Sequence, residues 1–479
     1  MAMSPIHLAE TPMTHTFRAR KSEGGGGGGR RNRGGGGGGK NREGLPKTDQ
    51  QTDLELLPEL DYNHFDRMTA TELAKACKSH KIPLESSRSS VIETLIQKVN
   101  EDFGATYGRG VLELLNDGWG FLRRDNYVPS PQDIYVSQSQ VKRFGLRQGD
   151  VVFGQVRLPK EGEKYKGMLR VESVNGHATG SPEMAVRRNF DELTPLFPDE
   201  PIRMETAPDN VPARIIDLIA PIGKGSRGLI VAPPKAGKTT IVKTIAGSIA
   251  ENHPEVALMV LLVDERPEEV TDMRRFVKGQ VISSTFDEPP ENHMRVTELC
   301  LDQAKRLVES GRDVVILLDS ITRLSRASNL TINPSGRTLS GGLDPAALYR
   351  PRRFFGAARN IEEGGSLTII ATALIDTGSR MDDQIFEEFK GTGNMEIVLD
   401  RELAERRIWP AIDVKRSSTR HEEKLFDKEQ LEGVVQLHRM LANSKDPVEA
   451  AGELIKLLKR TATNGAFLEW VLQRTRATV

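Results

Sequence analysis

The chain has 479 residues, in which 67 Lys plus Arg balance 67 Asp plus Glu. At about 150 residues per domain this length suggests about three domains. Its longest apolar runs, such as Ala257 to Val263, fall far below the ~18 residues of a membrane-spanning helix, so no membrane partner is expected. The only cysteines, Cys77 and Cys300, are too far apart to suggest a disulfide framework or a zinc site, which fits a reducing cytoplasm.

The zero balance sums unequal segments. Gly24 to Gly29 and Gly34 to Gly39 are two hexaglycine blocks. Between Arg18 and Arg42 eight basic residues meet one acid, Glu23, so this window carries +7 and the remainder −7. Residues 1–61 lack hydrophobic periodicity, and so much glycine carries more backbone entropy than burial can offset. They are expected to form a disordered Gly/Arg-rich extension, either a flexible linker or an auxiliary RNA-binding arm.

From 62 to 103 the pattern is helical. Thr69 and Glu72 make a capping-type start, and Val91, Ile92, Leu95, Ile96 and Val99 form one apolar stripe. Lys75, Lys78 and Lys81 read as a solvated face. Between 104 and 178 the period becomes two, with short strands at 111–115, 118–122, 133–136, 150–156 and 169–171. Five strands in so short a stretch suggest a small β-barrel. A linker, proline-rich and acidic, occupies 179–208. From 209 to 479 buried-looking strands alternate with helical patterns, which implies an α/β domain on a parallel sheet.

The strand Gly228 to Val231 runs into Ala232-Pro233-Pro234-Lys235-Ala236-Gly237-Lys238-Thr239-Thr240 and then a helix-compatible run. This is the context of a phosphate-binding loop. Backbone N–H groups and the helix N-terminus take phosphate oxygens, Lys238 reaches the β- and γ-phosphates, and the Thr239 hydroxyl ligates Mg²⁺. Ala232 stands where the usual pattern has its first glycine. The apolar strand Val314 to Leu318 ends in Asp319, suited to orienting Mg²⁺. The strand Leu258 to Val263 ends in Asp264-Glu265-Arg266, which places Glu265 at the carboxyl edge as a candidate general base for the attacking water. Arg406, Arg407 and Arg420 are candidates for an arginine that compensates transition-state charge.

Together with Asp319 to Arg323, Arg350 to Asn360 and Glu387 to Glu396, these residues resemble the Rho family of bacterial transcription termination factors, over roughly Ala70 to the C-terminus. The resemblance implies a hexameric, RNA-dependent ATPase and helicase: an OB-fold, cold-shock-like RNA-binding barrel followed by a RecA-like P-loop ATPase motor. It implies that Pro234, Lys235, Ala236, Gly237, Lys238, Thr239 and Thr240 bind ATP phosphates and that Asp319 supports Mg²⁺. Glu265 would activate water, and Arg266 would link the site to the neighbouring subunit. Arg420 would be a finger supplied in trans, Arg407 a second interface arginine, and Trp409 the ring that stacks on adenine. In the barrel, Trp119, Phe121 and Arg123 alternate onto one face, and Tyr135, Glu163 and Tyr165 fall where the family contacts bases. Two loops, Pro334 to Gly342 and Asp376 to Met381, resemble those that enter the ring's channel, with Arg337, Thr338 and Arg380 as RNA contacts. Lysine is common in the family at the two arginine positions, and Ser418 replaces a frequent glycine near Arg420.

The expected function is transcription termination by a homohexameric RNA translocase that uses ATP and Mg²⁺, binds single-stranded RNA and acts on the RNA polymerase elongation complex in the cytoplasm. Competing readings are a rotary-ATPase or recombinase subunit, and an RNA chaperone with a regulatory nucleotide site.

Overall fold

The computed structural model describes residues 61–83, 87–101, 104–124, 126–444 and 446–476. The basic glycine-rich segment therefore lies outside the described residues. Three helices, Tyr62–Asp66, Ala70–Ser79 and Arg88–Glu101, open the described chain. Thr69 and Glu72 form a reciprocal capping box on the second, a device that satisfies two otherwise orphaned donors. The third buries Val91, Ile92, Leu95 and Ile96 against Tyr62, Phe65, Leu73 and Cys77.

The barrel follows, built from β1 (Thr106–Leu114), β2 (Gly120–Arg123), β3 (Ile134–Val136), β4 (Val151–Arg157) and β5 (Lys166–Val174), with a short β6 (His177–Ala178). The strands run β3-β2-β1-β4-β5-β6, and β3 also pairs with β5, closing the sheet. Leu112, Leu122, Ile134, Val136, Val152 and Met168 fill the interior. The alternate residues therefore point outwards, among them Phe121 and Tyr135, which face each other in register across β2 and β3.

What reads as a linker in the sequence is fastened to the motor. Phe190 is buried in the motor core, and β7 (Pro195–Leu196) pairs with a strand of the large sheet. That sheet comprises β8 (Arg227–Ala232), β9 (Ala257–Glu265), β10 (Gln280–Thr285), β11 (Asp313–Asp319), β12 (Arg359–Ile361), β13 (Ser366–Leu374), β14 (Met395–Val398) and β15 (Ser418–Thr419). Its main order is β10-β9-β11-β13-β8-β14-β15. All neighbours from β10 to β14 are parallel, so their carboxyl ends share one edge. Helices cover both faces, as near-continuous apolar strands require.

Barrel and motor are locked together. The Asn126 side chain accepts from the Ser283 N–H at 3.1 Å. The fully buried Tyr127 hydroxyl donates to Gln303 and accepts from Gln280 at 2.8 Å. Gly149 has φ +84°, and a Cβ there would stand 2.4 Å from the Asp302 carbonyl carbon, so only glycine permits this approach.

Candidate nucleotide site and nucleic-acid interface

Strand order and parallel direction bring the ends of β8, β9 and β11 together. From β8 the chain turns through Pro234 and Lys235 into the helix Lys238–Asn252, with Lys235 at φ 66° and Gly237 at φ 88°. Trp409 closes over this turn: a Cβ on Gly237 would lie 2.7 Å from the indole ring. The resulting cavity has a volume of about 510 Å³, and its walls include Pro234, Lys235, Lys238, Thr239, Thr240 and Trp409. Ala236 is buried beneath it. Ala232 is also buried, so the missing glycine leaves the turn intact.

Lys238 Nζ donates to Glu265 Oε1 at 2.9 Å and to Asp319 Oδ1 at 2.6 Å. Burial alone would depress this ammonium, but the two carboxylates outweigh it and raise its pKa. Glu265 is only 1% exposed. Its pKa is raised, first by burial and then by the Asp319 charge, against the opposing pull of Lys238 and Arg323. Glu265 thus faces the lysine and Arg323, at 3.1 Å, whereas Arg266 projects outwards toward Glu269. A phosphate group entering the loop would compete with Glu265 and Asp319 for Lys238.

Three contributors have no role assigned from the sequence. Arg323 lies one helical turn past Asp319, and its signal is that it opens the helix after that strand. Thr372 donates to Asp319 Oδ1 at 2.7 Å and is the polar exception in the apolar strand β13. Thr377 also lines the cavity and donates to the buried Asp382 at 2.6 Å.

Arg420 is placed differently. Its N–H donates to the Asn394 carbonyl at 2.8 Å, and the next residue, Met395, stands beside Gly228 at the amino end of β8. The phosphate loop leaves the opposite end of β8, roughly 17 Å away at about 3.3 Å per residue. The exposed Arg420 side chain cannot span that distance. Arg407, at φ 60°, is exposed beside Trp409.

On the barrel, Trp119, Phe121, Tyr135 and Tyr165 form one aromatic cluster. Trp119 meets Phe121 edge-on at 5.4 Å and Tyr135 at 5.5 Å, and Phe121 lies 4.8 Å from Tyr165 between centroids. Phe121 and Tyr135 are largely covered by their neighbours, while Trp119 and Tyr165 are half-buried and form the accessible rim. The rings sit on the outer face, opposite the barrel core. Arg123, expected on the same face as Trp119 and Phe121, is engaged by the barrel's own carboxylates. It is 6% exposed and pairs with Glu113 at 2.6 Å and with the buried Asp133, its guanidinium 4.9 Å from the Phe121 ring centre. Its charge is spent inside the protein, where it props the aromatic face. Glu163 is held by Arg157 at 2.9 Å and by the Lys160 N–H at 3.0 Å.

The two motor loops meet: a Cβ on Gly341 would lie 2.3 Å from Met381 N. Arg337, Thr338 and Arg380 are all exposed. Arg380 begins the helix Arg380–Lys390 instead of lying within a loop.

The barrel and the phosphate-loop domain define an RNA-binding module joined to a nucleotide-binding motor. Residues 108–180 match the family model "Rho termination factor, RNA-binding domain", and 213–419 match "ATP synthase alpha/beta family, nucleotide-binding domain". The chain is 55% identical over 417 residues to a transcription termination factor Rho of Bacillus subtilis, covering 86% of this chain and 96% of that protein. It is 55% identical over 387 residues to the Rho of Aquifex aeolicus, covering 80% and 88%. The chain belongs to the Rho transcription termination factor family. Among solved structures, a type III secretion system ATPase of pathogenic bacteria aligns over 59% of this chain and 88% of its own, at 23% identity and a TM-score of 0.48. Membership carries RNA binding and ATPase activity. No described helix is long and apolar enough to cross a membrane.

Proposed function

We propose that the protein is a ring-forming, ATP-driven RNA translocase and helicase that terminates transcription by pulling nascent RNA from the RNA polymerase elongation complex in the cytoplasm. The observation that carries this reading is the placement of Arg420 at the sheet edge away from its own phosphate loop. A site that needs a finger is then completed only by a neighbouring copy, as a homohexamer provides. Lys235, Lys238 and Thr239 hold the ATP phosphates, Trp409 stacks on the base, and Arg266 and Arg407 face the adjoining subunit. Glu265 takes the proton of the attacking water. Thr239 and Asp319 offer only oxygen donors, which suits Mg²⁺; bound with the nucleotide, that ion neutralises charge on the β- and γ-phosphates.

Single-stranded RNA is captured by the aromatic cluster of Trp119, Phe121, Tyr135 and Tyr165, whose accessible rim receives splayed bases and which Glu163 borders. Arg337, Thr338 and Arg380 then grip its backbone. Such contacts with phosphate and 2′-OH are independent of base, as a translocating motor needs.

The test mixes two variants. Lys238→Ala and Arg420→Ala should each lose RNA-stimulated ATP hydrolysis, and mixed rings should recover part of it, because some interfaces pair an intact loop with an intact finger. No recovery in rings shown to be mixed would sink the trans assignment. Hydrolysis indifferent to poly(C) would sink the translocase reading and leave an RNA chaperone with a regulatory nucleotide site.

A further inference from the structure

A separate cavity of about 290 Å³ opens where the helical subdomain, the barrel and the motor converge. Its motor wall comes from the amino ends of β9, β10 and β11, so it lies at the sheet edge opposite the ATP site. The serines Ser87, Ser89 and Ser90 and the arginines Arg109 and Arg312 line it together with the amides of Asn175, Gln280 and Gln303, and none of its lining residues is an Asp or Glu. By contrast, Glu265 and Glu269 line the ATP cavity.

The two arginines are unequal. Arg109 is half-exposed and pairs with Glu93 at 3.2 Å. Arg312, just before β11, has no acidic partner for its guanidinium among the described residues. The covered Arg123, Arg157 and Arg187 each hold a carboxylate, and Arg227, which has none among the described residues, donates instead to the Thr392 and Ala358 carbonyls. Burial, and after it the Arg109 charge, keep the Arg312 guanidinium below its ordinary range. The charge of an anion between the two cations would oppose both effects. Ser89 and Ser90 Oγ lie 3.1 and 3.0 Å from Ser87 Oγ, a cluster of rotatable O–H donors on the facing wall.

We propose that this cavity is a second, non-catalytic anion site that takes a phosphate group, either inorganic phosphate or the phosphate of a nucleotide. Because three bodies wall it, the bound anion clamps the helical subdomain and barrel onto the motor. Any effect of that anion on RNA capture is matched by an equal effect of RNA on anion affinity.

The experiment uses the full chain carrying Lys238→Ala, which weakens the phosphate loop's own grip. Inorganic phosphate and AMP are titrated separately at constant ionic strength. Melting temperature gives affinity, and amide exchange locates the ligand. The expected result is a saturable stabilisation with protection in peptides covering 87–91 and 307–313. Adding Arg312→Gln should weaken it about tenfold or more, the size of one charge-assisted hydrogen bond, while Arg312→Lys retains most of it. An effect of phosphate alone identifies the free ion, and tighter binding of AMP identifies the nucleotide phosphate. Should Arg312→Gln not fold, Arg109→Gln carries the same expectation. The proposal is overturned if neither ligand stabilises saturably, if the arginine variants leave affinity unchanged, or if protection is confined to 232–240.

Discussion

Replacing Arg123 by methionine separates support of the aromatic face from direct contact with RNA. Arg123 is 6% exposed and bridges Glu113 at 2.6 Å and a fully buried Asp133. Removing the cation strands both carboxylates, a fault worth about 3–5 kcal/mol when a buried pair loses one partner. For a cooperative unit of ~60–100 residues, the size of the barrel, each kcal/mol shifts melting by about 4–8 °C, so the barrel transition should fall by roughly 12–40 °C in calorimetry. The pH dependence has a definite sign. Burial already holds the Asp133 carboxyl above its ordinary value, against the Ser130 hydrogen bond and the Arg123 charge. A carboxyl whose pKa is raised in the folded state stabilises that state when protonated, and the contribution is lost as pH rises through the folded pKa. Without Arg123 the folded pKa rises further, so the gap between wild type and variant should narrow as the pH is lowered from neutral. Binding of oligo(C), read by fluorescence anisotropy, should weaken through lost support of Phe121 with its salt slope unchanged. An unchanged melting temperature with a salt slope smaller by about one would instead make Arg123 a phosphate contact and refute the reasoning.

Phe121→Ala should cost about 1–3 kcal/mol of RNA affinity, the value of one base–aromatic stack, while basal ATP hydrolysis stays the same; filter binding decides it, and an unaltered affinity would remove the cluster from the RNA face. Gly237→Ala forces a Cβ to within 2.7 Å of the Trp409 ring at a φ of +88°, so nucleotide binding by calorimetry should be lost while the overall melt moves little. Glu265 ionises above its ordinary value, so RNA-stimulated turnover should fall on acidification with a midpoint above the usual carboxylate range. Glu265→Gln should leave a low rate without that limb, and persistence of the limb would assign the base elsewhere.

How much of this was legible depends on the distance over which each feature is encoded. The phosphate loop, Asp319 and Glu265 could be read because each is a strand followed at once by its functional residue, so chain connectivity alone places them at one sheet edge. Trp119 and Phe121 could be read because period-two alternation is local. Arg123 obeys the same alternation, yet its partners sit on β1 and near β3, and pairing across strands is invisible to a local pattern. The same limit hid Arg323, whose contact with Glu265 spans 58 positions. It also made residues 179–208 look like a spacer, since Phe190 and β7 are held by residues far along the chain.

Arg420 shows what fold geometry adds beyond recognition. Sequence offers several arginines as fingers, and composition cannot rank them. The register shows where one of them lies: β14 runs parallel to β8 with Met395 beside Gly228, and Arg420 is tied to Asn394 just before that pair. It therefore sits at the amino edge, while phosphate binds at the carboxyl edge. Trp409, by contrast, lines the chain's own nucleotide cavity. A single subunit thus carries an aromatic ring over its own phosphate loop and an arginine that cannot reach that loop. In the proposed ring such a division would make hydrolysis depend on the contact between copies. Mutations that loosen the junction between subunits should therefore lower turnover without weakening nucleotide binding to the isolated chain.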